Sequence, residues 1–181
     1  MLNKKMELQH VMNLFAVEGT TFINLVPVLL NWMVNAPDFD AHDFSSLRYI
    51  IYGGSPIPMT ILEKCLERIT GKFSQGFGLA ESTVLGAEDH VISDDPVKKK
   101  CLQSVGREVY YNWVREVGDG GGDLPPGEIG EIKIKGPNVM KGYWRDAEQT
   151  EGRIGDGWLY SNDMGYFDED MYLYIVVVDR K

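Results

Sequence analysis

From Thr21 to Phe77 the pattern of apolar and polar positions changes texture in a regular way. The segments Thr21 to Val26, Leu47 to Tyr52 and Lys72 to Phe77 have the length of strands, and the first of them reads as buried. Between the first two, Pro27 to Asn35 predicts a helix with proline in its first turn, where the missing N–H costs nothing. Between the second and third, Leu62, Cys65, Leu66 and Ile69 recur at helical spacing over Pro58 to Thr70, and Gly71 stands where a C-terminal glycine cap would. Strand, helix, strand, helix, strand predicts a parallel sheet with crossover helices. Ligands of such sheets collect beyond the carboxyl ends of the strands, where Gly53-Gly54-Ser55-Pro56 and Gly76-Phe77-Gly78 fall. The two glycine segments are therefore expected to face one crevice.

After Ser104 the pattern shortens. Thirteen of the 20 glycines lie there, Ile132 and Ile134 alternate with Lys133 and Lys135 as on a half-exposed strand, and Asp119 to Gly122 and Leu124 to Gly127 are turn chemistry. Tyr172 to Val178, behind the acidic turn Asp168-Glu169-Asp170, predicts a strand buried on both faces or packed against the first subdomain. The expected fold class is α/β, with a parallel α/β subdomain over residues 1–103 followed by a β-rich, barrel-like subdomain over 104–181.

Composition narrows the functional classes. An apolar fraction of 44% with 25% charged residues is that of a globular protein with a core. The net charge of −9 argues against a nucleic-acid surface, because the one basic run, Lys98-Lys99-Lys100, reads as a solvated loop. Neither an apolar window long enough to span a membrane nor a secretory leader is present in the sequence, so a cytoplasmic setting is expected. Cys65 and Cys101 read as reduced thiols rather than a disulfide or metal framework.

The segment with most chemistry is Ser74-Gln75-Gly76-Phe77-Gly78-Leu79-Ala80-Glu81-Ser82. Glycine admits close backbone approach, an aromatic face suits a planar ring, and a carboxylate can hold a divalent cation. On residue types alone a tight strand-to-helix connection is the better explanation of the segment. Three further segments add to it: Tyr52-Gly53-Gly54-Ser55-Pro56, then Gly127-Glu128-Ile129-Gly130-Glu131 running on to Gly142-Tyr143-Trp144, and Asp156-Gly157-Trp158-Leu159-Tyr160-Ser161-Asn162-Asp163 leading to Asp179-Arg180-Lys181. In this order and spacing, from about Thr21 to Lys181, the chain resembles the adenylate-forming superfamily of acyl-CoA synthetases, luciferases and peptide-synthetase adenylation domains.

That resemblance implies roles. Gly53, Gly54, Ser55 and Pro56 would line the adenine of ATP or AMP by backbone, and Gln75, Gly76, Phe77 and Gly78 would also contact the nucleotide, with Phe77 stacking on the other face of the base. Glu81 would be the catalytic Mg²⁺ ligand, Asp163 would bind the ribose hydroxyls, and Arg180 would assist there. A surface glutamate, a turn aspartate and a solvated terminal arginine are the structural alternatives for these three. The sequence departs from the family at Ala80, where a phosphate-bonding Thr is usual, at Asn162, where Gly is usual, and at Met171, a frequent Gly. The family's phosphate loop would precede residue 1 and its lysine-bearing domain would follow Lys181, so a portion of a large N-terminal domain is expected, inactive by itself.

The implied parent is an acid–thiol ligase that uses ATP, Mg²⁺, CoA and a carboxylic acid. A fatty or aromatic acid is expected, because the segments matching the acyl pocket, Asn24 to Trp32, Gly53 to Ser55 and Phe77 to Leu79, carry no acid or base. The alternatives are another adenylate-forming enzyme, of the peptide-synthetase or luciferase kind, or a non-catalytic nucleotide- or partner-binding remnant.

Overall fold

The computed structural model describes residues 7–69, 71–90, 101–118 and 120–177, without the side chains of 83–90. Arg180, Lys181 and the run Lys98-Lys99-Lys100 lie outside the described residues. The chain forms two compact units: Met1–Gln75 with Asp89–Leu102, and Gly76–Glu88 with Gln103–Lys181.

In the first unit, helix α1 (Leu8–Glu18) is followed by strand β1 (Phe22–Leu25), helix α2 (Pro27–Val34), strand β2 (Tyr49–Gly53) and helix α3 (Met59–Arg68). Strand β3 (Lys72–Leu79) begins in this unit and ends in the next. β1 and β2 pair in parallel, Phe22 opposite Tyr49 and Leu25 opposite Tyr52, and β2 lies between β1 and β3. Met12, Phe15, Leu30, Ile50, Tyr52, Leu62, Cys65 and Phe73 make a dry core between sheet and helices. Burial pushes the Cys65 thiol up to about 12, so it packs as a small apolar group.

One expectation is corrected here, and one element lies outside the patterns read above. α1, with its left-handed Gly19 cap, is unannounced by the apolar spacing read above. Gly71 is not the C-cap of α3, which ends on an extended Ile69. Its glycine is required for another reason: φ is +130° and a Cβ would stand 3.1 Å from the Leu47 carbonyl oxygen.

The second unit is a curled antiparallel sheet. After strand β4 (Thr83–His90), strands β5 (Trp113–Val117), β6 (Gly130–Lys135), β7 (Ile154–Gly155), β8 (Trp158–Phe167) and β9 (Leu173–Val176) follow, with a short helix α4 (Ala147–Glu151) before β7. The sheet order is β5-β6-β8-β7, and β9 also pairs with β8. Ile132 and Ile134 of β6 are fully buried while Lys133 and Lys135 face outward, as the alternation predicts, and with Val114, Leu159, Phe167 and Leu173 they form the second core. Among the described residues the predicted strand from Tyr172 is realised over Leu173–Val176, and Val178 lies outside them. Asp168 starts it: buried, it accepts from the Asp170 and Tyr172 N–H groups at 3.1 and 2.9 Å and from the Tyr174 hydroxyl.

Candidate functional site

β3 is longer than its apolar pattern indicated. Gly76, Phe77 and Gly78 lie within the strand, and the chain then turns through Ala80, Glu81 and Ser82 into β4, a strand-to-strand connection in place of the strand-to-helix one. Phe77 is half-buried and packs against the core of the second unit with Leu79. Upstream, Gln75 is buried and its carboxamide oxygen accepts from the Tyr52 hydroxyl at 3.3 Å. The glycine turn after β2 stays with the first unit: Gly54 has φ +84° in open space, and Ser55 and Pro56 are exposed. Phe77, Glu81 and Asp163 all belong to the second unit, whereas Gly53 to Pro56 and Gln75 belong to the first.

Glu81 is held from several directions. Its carbonyl accepts from the Met140 N–H at 2.7 Å, the Asn138 amide donates to the neighbouring Ser82 carbonyl, and the Tyr143 hydroxyl donates to Glu81 Oε1 at 2.6 Å. The Tyr143 hydroxyl beside Glu81 holds the carboxyl below the usual range, aided by a backbone hydrogen bond and by the Arg153 charge. Reciprocally, the carboxylate pushes the Tyr143 phenol up. Tyr143 is fixed in turn: its N–H donates to Thr150 Oγ1 at 2.9 Å, Thr150 donates to the Asp146 carbonyl, and the Asp146 side chain caps α4 through the Gln149 N–H. Gly142 precedes it at φ +151°, where a Cβ would meet Thr150 Cγ2 at 2.8 Å.

Asp163 sits in an irregular stretch of β8. The register passes from Lys133 opposite Tyr160 to Glu131 opposite Met164, so Ser161, Asn162 and Asp163 together oppose Ile132. The two additional residues preserve the parity of the strand, leaving Leu159, Ser161, Gly165 and Phe167 buried while Asn162 and Asp163 reach the surface. Asn162 adopts φ +62°, the left-handed region that a family glycine would occupy and that Asn tolerates. Its N–H donates to Glu131 Oε1, and the Asp163 N–H donates to the buried Ser161 Oγ at 3.0 Å. Trp158 to Phe167 is thus one continuous bulged strand.

This arrangement can take a hard cation and a diol. Among the described residues no three or more His, Cys, Asp or Glu side chains converge as a metal cage. One ionised, half-buried carboxylate at Glu81 fits Mg²⁺ all the same, because that ion is commonly held by one or two carboxylates together with substrate phosphates. Ala80 is exposed and offers no hydroxyl. No sequence pattern assigns a role to Arg153, or to Tyr143 within the quoted segment Gly142-Tyr143-Trp144. An apolar cavity in the first unit, lined by Leu8, Val11, Leu25, Leu29, Trp32 and Met33, measures about 30 Å³, room for water but not for an acyl group.

The profile of the AMP-binding enzyme family matches residues 2–144, and the chain belongs to that family. A feruloyl-CoA synthase from Amycolatopsis sp. is 35% identical over 159 residues, covering 88% of this chain and 31% of the relative. Among solved structures, an amide bond synthetase from Marinactinospora thermotolerans superposes with a TM-score of 0.87 at 32% identity, over 97% of this chain and 35% of that one. The o-succinylbenzoate CoA synthetase of Bacillus subtilis in complex with ATP and magnesium ion superposes at 0.82 and 26% identity, over 99% and 37%. The chain therefore spans about a third of the length of the relatives it matches. No helix among the described residues is long and apolar enough to cross a membrane.

Proposed function

We propose that the chain is a portion of an ATP-dependent acyl-CoA synthetase that converts a carboxylic acid to an acyl-adenylate and then to an acyl-CoA. In the first step a carboxylate oxygen attacks the α-phosphorus and pyrophosphate leaves; in the second the CoA sulfur attacks the acyl carbon and AMP leaves. Glu81 would hold the Mg²⁺ that, when bound, offsets the phosphate charge. Asp163 would accept hydrogen bonds from the ribose hydroxyls, Phe77 would lie on the adenine with Gln75, Gly76 and Gly78 beside it, and Gly53, Gly54, Ser55 and Pro56 would line its other side. Arg180 would assist at the ribose. A fatty or aromatic acid fits the relatives' names, which include feruloyl-CoA synthase and long-chain-fatty-acid–CoA ligase.

The observation that carries this reading is Asp163 lifted out of β8 by a two-residue bulge, in a chain whose family binds AMP. Bulges re-aim side chains next to sites. Each charge-assisted bond from a ribose hydroxyl contributes about 1.5–3 kcal/mol, so Asp163→Asn should weaken AMP binding at least about tenfold with an unchanged melting temperature. A fall in melting temperature with unchanged AMP affinity would reduce Asp163 to a turn residue and sink the assignment. The likeness to an amide bond synthetase favours a second reading, in which an amine rather than CoA takes the acyl group. Supplying the full-length protein with acid, ATP and either acceptor, and identifying the product by mass, separates the two.

A further inference from the structure

Between the Glu81 turn and the Asp163 bulge stands Arg153, immediately ahead of β7. Its carbonyl accepts from the Tyr160 N–H at 2.9 Å, and its Nη2 donates to the Ser161 carbonyl at 3.1 Å. The first is a main-chain bond that continues the pairing of β7 with β8, and the second brings the side chain to the first residue of the bulge. Ser161 in turn receives the Asp163 N–H through its buried hydroxyl. The same guanidinium acts on the Tyr143 hydroxyl and attracts the Glu81 carboxylate, and its Nε is buried without a hydrogen-bond partner. A buried unpaired donor is a cost that a solvent-exposed arginine would avoid. Here one planar, permanently charged group reaches both the strand that carries Asp163 and the pair that carries Glu81.

We infer that Arg153 is a positioning residue for nucleotide recognition: by holding the Ser161 carbonyl, its guanidinium fixes the bulge that presents Asp163 to a ribose diol. Ligand affinity depends steeply on such preorganisation, because a carboxylate free to swing must be ordered on binding. The inference rests on the proposed role of Asp163, and the experiment is arranged so that the two fail differently.

AMP and 2′,3′-dideoxy-AMP, which lacks the ribose hydroxyls, are titrated calorimetrically into the 181-residue chain and into Asp163→Asn, Arg153→Met and Arg153→Lys. The ratio of the two dissociation constants is the readout. Wild type is expected to prefer AMP at least tenfold and Asp163→Asn to have no preference. Arg153→Met should lose most of the preference, about fivefold, with its affinity for the dideoxy nucleotide unchanged, and Arg153→Lys should regain part of it. Should Arg153→Met not fold, Arg153→Lys decides by an intermediate preference. If wild type does not bind AMP, shows no preference, or keeps it in Asp163→Asn, the ribose assignment falls and the inference with it. If Asp163→Asn abolishes the preference but the Arg153 variants keep it, or lose both nucleotides equally, Arg153 supports the fold alone and the inference is overturned.

Discussion

Glu116 carries a carboxyl into the interior of the second unit, where only 4% of its surface is exposed. Its side chain accepts from the Phe167 N–H at a long 3.4 Å, and burial pushes its pKa up against the pull of backbone hydrogen bonds. A carboxyl whose folded pKa exceeds its unfolded value is free of penalty where both states are protonated and costs stability once pH rises through the folded value. Glu116→Gln should therefore be more stable than wild type in urea unfolding at pH 7, with the advantage fading towards pH 4; an advantage that grows on acidification would reject the buried-acid account. Phe77 offers a second test, since its half-buried ring touches the core of its own unit as well as being the proposed adenine platform. Phe77→Ala should weaken AMP binding by about 1 kcal/mol, roughly fivefold, and a loss confined to the melting temperature would make it a core residue only. At Glu81 and Asp163 the residue type alone leaves a surface glutamate and a turn aspartate open, and it is the resemblance that makes them candidate ligands. Tyr143 and Arg153 escaped because their partners are 62 and 8 residues away and no spacing rule connects them.

Elements were legible where one period ran uninterrupted. β1, α2, β2, α3 and β6 follow their patterns to within a residue or two, because each has one face committed to a core. β8 was not, since Trp158 to Phe167 reads as two short runs around Ser161-Asn162-Asp163 and only the pairing with β6 reveals a single strand with a bulge. Met171, beside β9, adopts φ +62°, where an unbranched side chain without a polar group is strained. Its exposed side chain has little packing to lose, so Met171→Gly should raise stability by about 0.5–1 kcal/mol after the greater entropy of the unfolded glycine is deducted. A lower urea midpoint for that variant would contradict it. Gly165 is the opposite case, because a Cβ there would lie 2.5 Å from the Tyr174 carbonyl oxygen, which is backbone and cannot swing aside. Gly165→Ala should cost about 2–3 kcal/mol by forcing β8 from β9, measured in the same unfolding experiment.

At the scale of the molecule, the chain covers about a third of its relatives, and turnover needs positioning and charge stabilisation of the whole phosphate path. Pyrophosphate release by the 181-residue chain, assayed with ATP and a panel of carboxylic acids, is expected at background; robust turnover would refute that. The order of α/β before β-rich structure was visible in the shift of glycine usage and periodicity near Ser104. The interleaving of the two units was not, since Gly76–Glu88 and Asp89–Leu102 exchange allegiance without any change in composition to mark it. This threading bears on how the chain is made. As it leaves the ribosome, the 13 residues of Gly76–Glu88 are synthesised before the rest of the second unit that they belong to, which begins only at Gln103. An amber codon just after Glu88 should therefore release a species that chaperones and proteases handle as unfinished, with Gly76–Glu88 left without the unit it belongs to.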